Sequence, residues 1–291
     1  MSVLKFTEEA NNLILNSVQK IESDIKNVYS KQRFDEKIFK IFLSDVEHTM
    51  KFFAAQLAKA RGAKIVEERD VKALFKKFWF ELLRKRKTFL VYEYGVRRDL
   101  HFIRAAAKSS KTFRVLDVGC GWGRASRWFC EFLGVETEVV AVDLDILSLK
   151  YGKSLNNNFS FLRAHMSYLP FKSETFDITL SSNSFHEVES ENRDRTLKEW
   201  AFCLRHSGLL YIIDSFARSH MSKWIQMLLH VIFPKMEVHP YPMEVEKCLQ
   251  FSHFKVIRKS RFDFPIFTLN SFHSYIACKQ ATDKMIEGRE N

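Results

Sequence analysis

Apolar residues recur every three or four positions through the first hundred residues, and beyond that they gather into short runs separated by helical stretches. Ile14, Val18, Ile21 and Ile25 form one stripe, which predicts a helix over Thr7 to Val28. Asp35 is placed to cap a longer helix reaching about Ala60, striped by Ile38, Phe42, Val46, Met50, Phe53 and Leu57. After a break at Arg61-Gly62-Ala63, Asp70 is placed to cap a third helix from Val71. Helix is expected to continue through Phe78 to Lys87 and again over Tyr92 to Lys108. No proline precedes Pro170 and only Gly62 and Gly95 interrupt the first 118 residues, so the front of the chain is predicted to be an all-α domain, over residues 1–82.

From Phe113 the pattern becomes strand, helix, strand, which predicts an α/β fold over 83–291, a parallel sheet with helices on both faces. Val115 to Val118 reads as a buried strand that turns at Gly119-Cys120-Gly121-Trp122-Gly123 into a helix from Arg124 to Leu133. Glycine lacks a Cβ, so it can take positive φ and let a ligand approach the backbone, while the following helix aims its free amides at that ligand. Further strands are expected at Glu138 to Asp143, Phe159 to His165, Phe176 to Leu180 and Leu209 to Asp214, with a helix from Glu191 to Arg205 ended by Ser207-Gly208. An insertion over Phe216 to Tyr241 holds an apolar helix, Met221 to Phe233. It suits a lid over an apolar acceptor, a helix lying on a membrane surface, or a helix packed on its own domain. The stretches around Val256 and Ile276 read as closing strands, and residues after Ala281 as a polar tail.

Composition narrows the classes. An apolar fraction of 46% is globular. Five cysteines, none in Cys-x-x-Cys spacing, point away from a zinc knuckle or disulfide framework and toward a reducing, cytoplasmic setting. The N-terminus has Glu8 and Glu9 before any long apolar run, unlike a signal peptide, and the apolar stretch Trp224 to Phe233 is too short to span a bilayer. The net charge of +11 is uneven: residues 1–110 carry 23 basic against 14 acidic side chains. That front suits an anionic partner, and a solvated helical face would look the same.

Spacing selects among nucleotide-like ligands. Arg124 stands where a dinucleotide fingerprint needs its third glycine, and no Gly-Lys-Ser or Gly-Lys-Thr follows the loop. The pattern Asp117-x-Gly119-x-Gly121-x-Gly123 instead resembles the first motif of class I S-adenosylmethionine-dependent methyltransferases. Asp143 at the end of the second strand, Leu169-Pro170-Phe171 after the third, and Trp200 through Leu204, Gly208 and Asp214 extend the likeness over about Tyr94 to Lys279. The resemblance implies a seven-stranded sheet, S-adenosyl-L-methionine as cofactor and no metal. It places the cofactor against Asp117, Gly119, Cys120, Gly121, Gly123, Asp143, Leu144, His165, Met166, Ser182 and Asn183. Asp143 would accept the ribose hydroxyls and Leu144 would lie against adenine. His165 stands where the family often has an acid facing the adenine amine. A neutral imidazole can accept one hydrogen bond there, and an ordinary loop histidine is the alternative.

The fourth strand runs into Ser181-Ser182-Asn183-Ser184, not the Asn-Pro-Pro-Tyr or Asp-Pro-Pro-Tyr of enzymes that methylate base amines. His186 is a candidate general base, or a ring packed under the lid. The expected acceptor is a small, lipophilic molecule, with nucleic acid or a nucleic-acid-associated protein as the alternative.

Lys31-x-Arg33-Phe34-Asp35-Glu36, Leu57 to Val66 and Asp70-Val71 resemble the loops of the histone fold, especially its archaeal form. That resemblance implies a homodimer through the N-terminal helices and DNA phosphate contacts from Lys31, Arg33, Lys59, Arg61 and Lys64. The plainer alternative is a helical cap on the enzyme. A third reading is a DNA-binding or dimerising module whose methyltransferase domain is degenerate.

Overall fold

The computed structural model describes residues 4–28, 36–74, 96–107, 112–232, 238–262 and 270–280. It divides into two compact units, Met1–Arg97 and Arg98–Asn291; the expected boundary at 82/83 lies outside the described residues.

In the first unit a short strand β1 (Lys5–Phe6) leads into helices α1 (Glu8–Val28) and α2 (Glu36–Ala60), followed by β2 (Ile65–Val66). The predicted stripes form the contact: Ile14, Ile21 and Ile25 of α1, and Phe42, Val46 and Met50 of α2, are buried. Phe53 departs from its stripe and is exposed, because the inward row steps by four from Val46 and Met50 to Ala54 and Ala58. The unit is not all-α. β1 pairs in parallel with β2, Lys5 opposite Ile65 and Phe6 opposite Val66, and the Thr7 amide donates to the Val66 carbonyl at 2.9 Å. Asp70 does not precede the third helix. The chain is helical from 68 to 74, and the Asp70 carboxylate reaches back to the Glu67 amide at 2.9 Å, capping from the third helical position. The proposed Asp35 cap, the loop at 31–34, the basic run Arg84 to Lys87 and the start of the Tyr92 helix lie outside the described residues.

The second unit begins at α3 (Arg97–Ala107) and continues through β3 (Phe113–Val118), α4 (Arg124–Leu133), β4 (Thr137–Asp143), α5 (Ile146–Leu155), β5 (Phe159–Arg163) and β6 (Phe176–Ser182). Then come α6 (Arg193–Cys203), β7 (Leu204–Ala217), α7 (His220–Ile232), α8 (Pro242–Phe251), β8 (Phe254–Phe262) and β9 (Asn270–Lys279). The seven strands lie in the order β5-β4-β3-β6-β7-β9-β8, with β9 antiparallel to both of its neighbours and the other pairings parallel. Central β3 and β6 are buried on both faces, which is why they read as continuous apolar runs. The order reverses at β3, between β4 and β6, and open α/β sheets form their ligand crevice at such a point.

Several boundaries differ from expectation, and those after β5 and α6 bear on local packing. α6 stops at Cys203, before Arg205, and β7 already pairs with β6 through Leu204 and Phe176; the ladder then shifts register before Leu209 meets Ile178. The slack between them holds Ser207 at φ 63. The strand expected to end at His165 stops at Arg163, and His165 forms an isolated antiparallel bridge with Tyr168.

Candidate functional site

The loop between β3 and α4 is built from three glycines in the left-handed region, Gly119 at φ 66, Gly121 at 54 and Gly123 at 77. They have different reasons for being glycine. A Cβ on Gly119 would lie 2.3 Å from Ser184 Cβ, so that residue is pressed against the neighbouring strand end. A Cβ on Gly121 would meet nothing within 4 Å, so its backbone opens onto free space. Gly123 caps the start of α4 against the Phe161 ring.

Two acids shape this loop. The Asp143 carboxylate, at the end of β4, accepts the Gly121 amide at 2.7 Å and the Asp145 amide at 2.8 Å. Asp145 in turn caps α5 through the amides of Leu147 and Ser148. Asp117 is fully buried; its Oδ2 accepts the Ser126 hydroxyl at 2.7 Å, while Oδ1 has no hydrogen-bond partner. Burial pushes its carboxyl up to about 7, with the Ser126 bond opposing. Burial also raises the Cys120 thiol well above its usual value, so Cys120 is a packed thiol and not a nucleophile.

Above the loop is a cleft of about 450 Å³. Of the predicted residues, Gly119, Gly121, Asp143, Leu144, His165, Met166 and Asn183 line it. Asp117, Cys120, Gly123 and Ser182 are not among its lining residues, nor is His186. Ser184, Glu187, Val188 and Asn192 also line it; the stretch from Ser181 to Val188 was expected at the ligand end of the fourth strand, but only Ser182, Asn183 and His186 of it were named as site residues. Ser184 donates from its hydroxyl to the Val118 carbonyl at 3.0 Å and holds the β6 end against β3. Ser184 lies four residues beyond the predicted strand end at Leu180, and a serine there gives no stronger signal than its position.

His165 is turned differently from expectation. Its Nδ1 accepts the Ser167 amide at 3.1 Å, so the neutral ring carries its proton on Nε2. The nitrogen left to a ligand is a donor, and the expected acceptor for an adenine amine is already used.

His186, in a short 3-10 turn over Phe185–Glu187, places Nδ1 2.6 Å from Oδ1 of the fully buried Asp214. Asp214 also accepts the His186 amide at 3.0 Å and the Ser215 amide at 2.6 Å. With the carboxylate acting as acceptor, the ring proton sits on Nδ1 and Nε2 is basic. The His239 ring lies beside that of His186, centroids 4.6 Å apart, with its own Nδ1 3.0 Å from the Ser215 carbonyl. A carbonyl can only accept, so His239 is held in the same tautomer. Asp214 was legible as an acid closing an apolar strand, the same signal that marks Asp117 and Asp143; nothing in the sequence marked His239.

Among the candidate DNA contacts, Lys31 and Arg33 lie outside the described residues. Arg61 is committed elsewhere: its guanidinium forms two 2.7 Å bonds to the buried Asp70 carboxylate, which holds that carboxyl below its ordinary range. Lys64 is exposed and Lys59 half-buried. Among the described residues no cluster of His, Cys, Asp or Glu could hold a metal ion, and no helix is long and apolar enough to cross a membrane.

Residues 115–208 match the family described as "Methyltransferase domain". A ubiquinone/menaquinone biosynthesis C-methyltransferase of Shewanella frigidimarina is 29% identical over 156 residues, covering 50% of this chain and 61% of that protein. The chain thus spans about three fifths of that curated relative's length. Among solved structures, a candidate sarcosine dimethylglycine methyltransferase from Galdieria sulphuraria superposes with a TM-score of 0.55 at 14% identity, covering 67% of this chain and 88% of that one. Geranyl diphosphate methyltransferase in complex with S-adenosylmethionine gives 0.51 at 12%, covering 67% and 90%. Residues 115–208 of the second unit thus match a methyltransferase-domain family, and the unit has the fold of solved methyltransferases, one of them in complex with S-adenosylmethionine. The cleft suits that cofactor: Gly121 leaves room above its backbone and Asp143 offers carboxylate oxygens at the rim.

Proposed function

We propose that this protein transfers the methyl group of S-adenosylmethionine to a small lipophilic acceptor, with His186 as the base that removes the acceptor's proton. The observation carrying this reading is the juxtaposition of a glycine-floored cleft with a histidine–aspartate pair on the next turn: Glu187 lines the cleft, and His186 beside it is held by Asp214.

Bound S-adenosylmethionine supplies an electrophilic methyl whose carbon–sulfur electron pair leaves with sulfur. This chain's part is to position and to move a proton. Gly119 and Gly121 bring bare backbone to the cofactor, and the Asp143 carboxylate takes hydroxyl donors that would otherwise face water. Asp214 keeps Nδ1 of His186 protonated, leaving Nε2 to accept a proton from an acceptor hydroxyl as that group becomes nucleophilic; the proton then passes to water. Positioning is expected to supply most of the rate and the base a smaller share.

Support for a lipophilic acceptor comes from the Shewanella relative, named for C-methylation in quinone biosynthesis, and from the apolar α7 that follows β7 directly. The front unit gives no comparable support for a nucleic acid, since Arg61 is spent on Asp70.

The test is calorimetric titration with S-adenosylmethionine and its demethylated product, beside Asp143→Ala, followed by labelled-methyl transfer to prenylated phenols, water-soluble phenols and DNA. Micromolar binding lost in the variant, with transfer to prenylated phenols, is the expected outcome. Absence of binding to the intact chain would overturn the reading, and transfer to DNA alone would move it to nucleic acid.

A further inference from the structure

His165 stands where the cleft meets the base of a bound nucleoside. β5 lies beside β4 with Asp143 opposite Arg163, and the Ala164 amide donates to the Asp143 carbonyl at 3.2 Å. The chain leaving β5 therefore flanks the carboxylate that takes the ribose hydroxyls, and Leu144, Ala164, His165 and Met166 line the cleft there. Across the sheet the strands run β5-β4-β3-β6. The methyl of the cofactor belongs over β6, where Glu187 and the candidate base follow, so the base at the other end of the ribose falls over β5.

The imidazole on this wall is fixed as a donor. Nδ1 accepts the Ser167 amide at 3.1 Å, and an N–H aimed at Nδ1 leaves no place for a second hydrogen on it. Nε2 carries the hydrogen of the neutral ring, and turning the ring over would set a C–H against the Ser167 amide. The turn that makes this bond is itself tied, since the Tyr168 amide donates to the His165 carbonyl at 2.9 Å and the two residues form an antiparallel bridge. The Tyr168 ring meets the imidazole at 64° with centroids 5.6 Å apart, and the Arg195 guanidinium lies 4.0 Å over the tyrosine face. Among the described residues Nε2 forms no hydrogen bond, and the side chain is exposed in the cleft.

We propose that His165 reads the base of the cofactor as a donor: its Nε2–H pairs with a ring nitrogen of the purine and takes no hydrogen bond from the exocyclic amine. Adenine's ring nitrogens offer lone pairs, whereas its amine offers hydrogens, and two facing donors repel. A carboxylate at this position would make the opposite choice. His165 thereby sets which atoms of the base the cleft recognises. The inference rests on the cofactor reading of the cleft and is independent of the acceptor.

The experiment is calorimetric titration of the full chain and of His165→Ala with S-adenosylhomocysteine, with its 1-deaza, 3-deaza and 7-deaza analogues, and with the analogue that lacks the 6-amine. Expected is one deaza analogue that binds the intact chain about fivefold or more weaker than the parent, a loss that disappears in His165→Ala. Removing the amine should change affinity by the same factor in both chains. Loosening of the turn in the variant would weaken every ligand alike, so the comparison cancels it. In parallel, nitrogen-15 NMR of the free intact chain should place the hydrogen of the neutral His165 ring on Nε2. Coupling of His165→Ala to the amine, additivity with all three ring nitrogens, or a hydrogen on Nδ1 would each overturn the proposal and leave the cofactor reading standing. Failure of S-adenosylhomocysteine to bind the intact chain would overturn both.

Discussion

Oδ1 of Asp214 lies 2.6 Å from Nδ1 of His186, while two backbone amides, of His186 and Ser215, donate to the same carboxylate. The acid is fully buried and fixed from three sides, so it selects one tautomer of the ring one residue before Glu187, which lines the cleft.

Removing the base should lower turnover and leave the cofactor in place. For His186→Gln we expect kcat to fall by about 10²–10⁴ with S-adenosylmethionine affinity within about twofold of the intact chain. Asp214→Asn should also lower kcat, because an amide can hold the ring in the wrong tautomer, and its pH–rate profile should lose the limb that reports the base. An unchanged profile in both variants would mean that His186 only packs there.

The two front glycines should fail in different ways. Gly119→Ala puts a methyl 2.3 Å from Ser184 Cβ, so the β3 and β6 ends must move apart, at a cost of about 1–3 kcal/mol beyond the φ strain. Gly121→Ala meets no protein atom and should cost only the roughly 1–2 kcal/mol of left-handed backbone. Its methyl projects into the cleft, so cofactor affinity should fall by about tenfold or more. Urea unfolding and calorimetry on the two variants separate these effects, and equal loss of affinity without loss of stability in Gly119→Ala would contradict the packing argument.

The elements that were readable are those whose cause is local. β3, β4 and β6 declare themselves as apolar runs, and the Gly119 loop as a turn, because strand burial and positive φ leave a mark in a few adjacent residues. β1 was missed because two residues carry no periodicity; their partner, Ile65–Val66, is distant in sequence. His239 could not be found for a related reason. Its place beside His186 is set by the return of the chain after α7, through the His239 amide bond to Gln226 and the Ala217 amide bond to the Pro240 carbonyl. The outward face of α7 was readable as an apolar helix, but which side would be buried depended on Asn270, far along the chain.

A second long-range contact, invisible to pattern, should matter for stability. Asp99 on α3 is fully buried and accepts Nε of Arg258 at 2.7 Å together with the Ser274 hydroxyl, joining the helix to the β8–β9 edge. Asp99→Ala leaves Arg258, 35% exposed, and the Ser274 hydroxyl without their acceptor and is expected to lower unfolding free energy by about 1–3 kcal/mol. Asp99→Asn, which keeps an acceptor for the serine, should cost less. Chemical denaturation of the two variants gives the order, and equal losses would show that the charge is irrelevant.

The last prediction concerns Asp117 and pH. Burial lifts its carboxyl from the unfolded value of 3.8 to about 7, so between those values the folded chain holds a proton that the unfolded chain releases. The contribution is fully present below 3.8 and is lost as pH rises through about 7, which means that this group makes the protein less stable toward neutrality. Asp117→Asn keeps the shape and the Ser126 contact while removing the titration. Thermal unfolding followed across this window should therefore decline with pH more steeply in the intact chain than in Asp117→Asn. Parallel curves would mean that another group sets the slope and that Asp117 stays ionised in the fold.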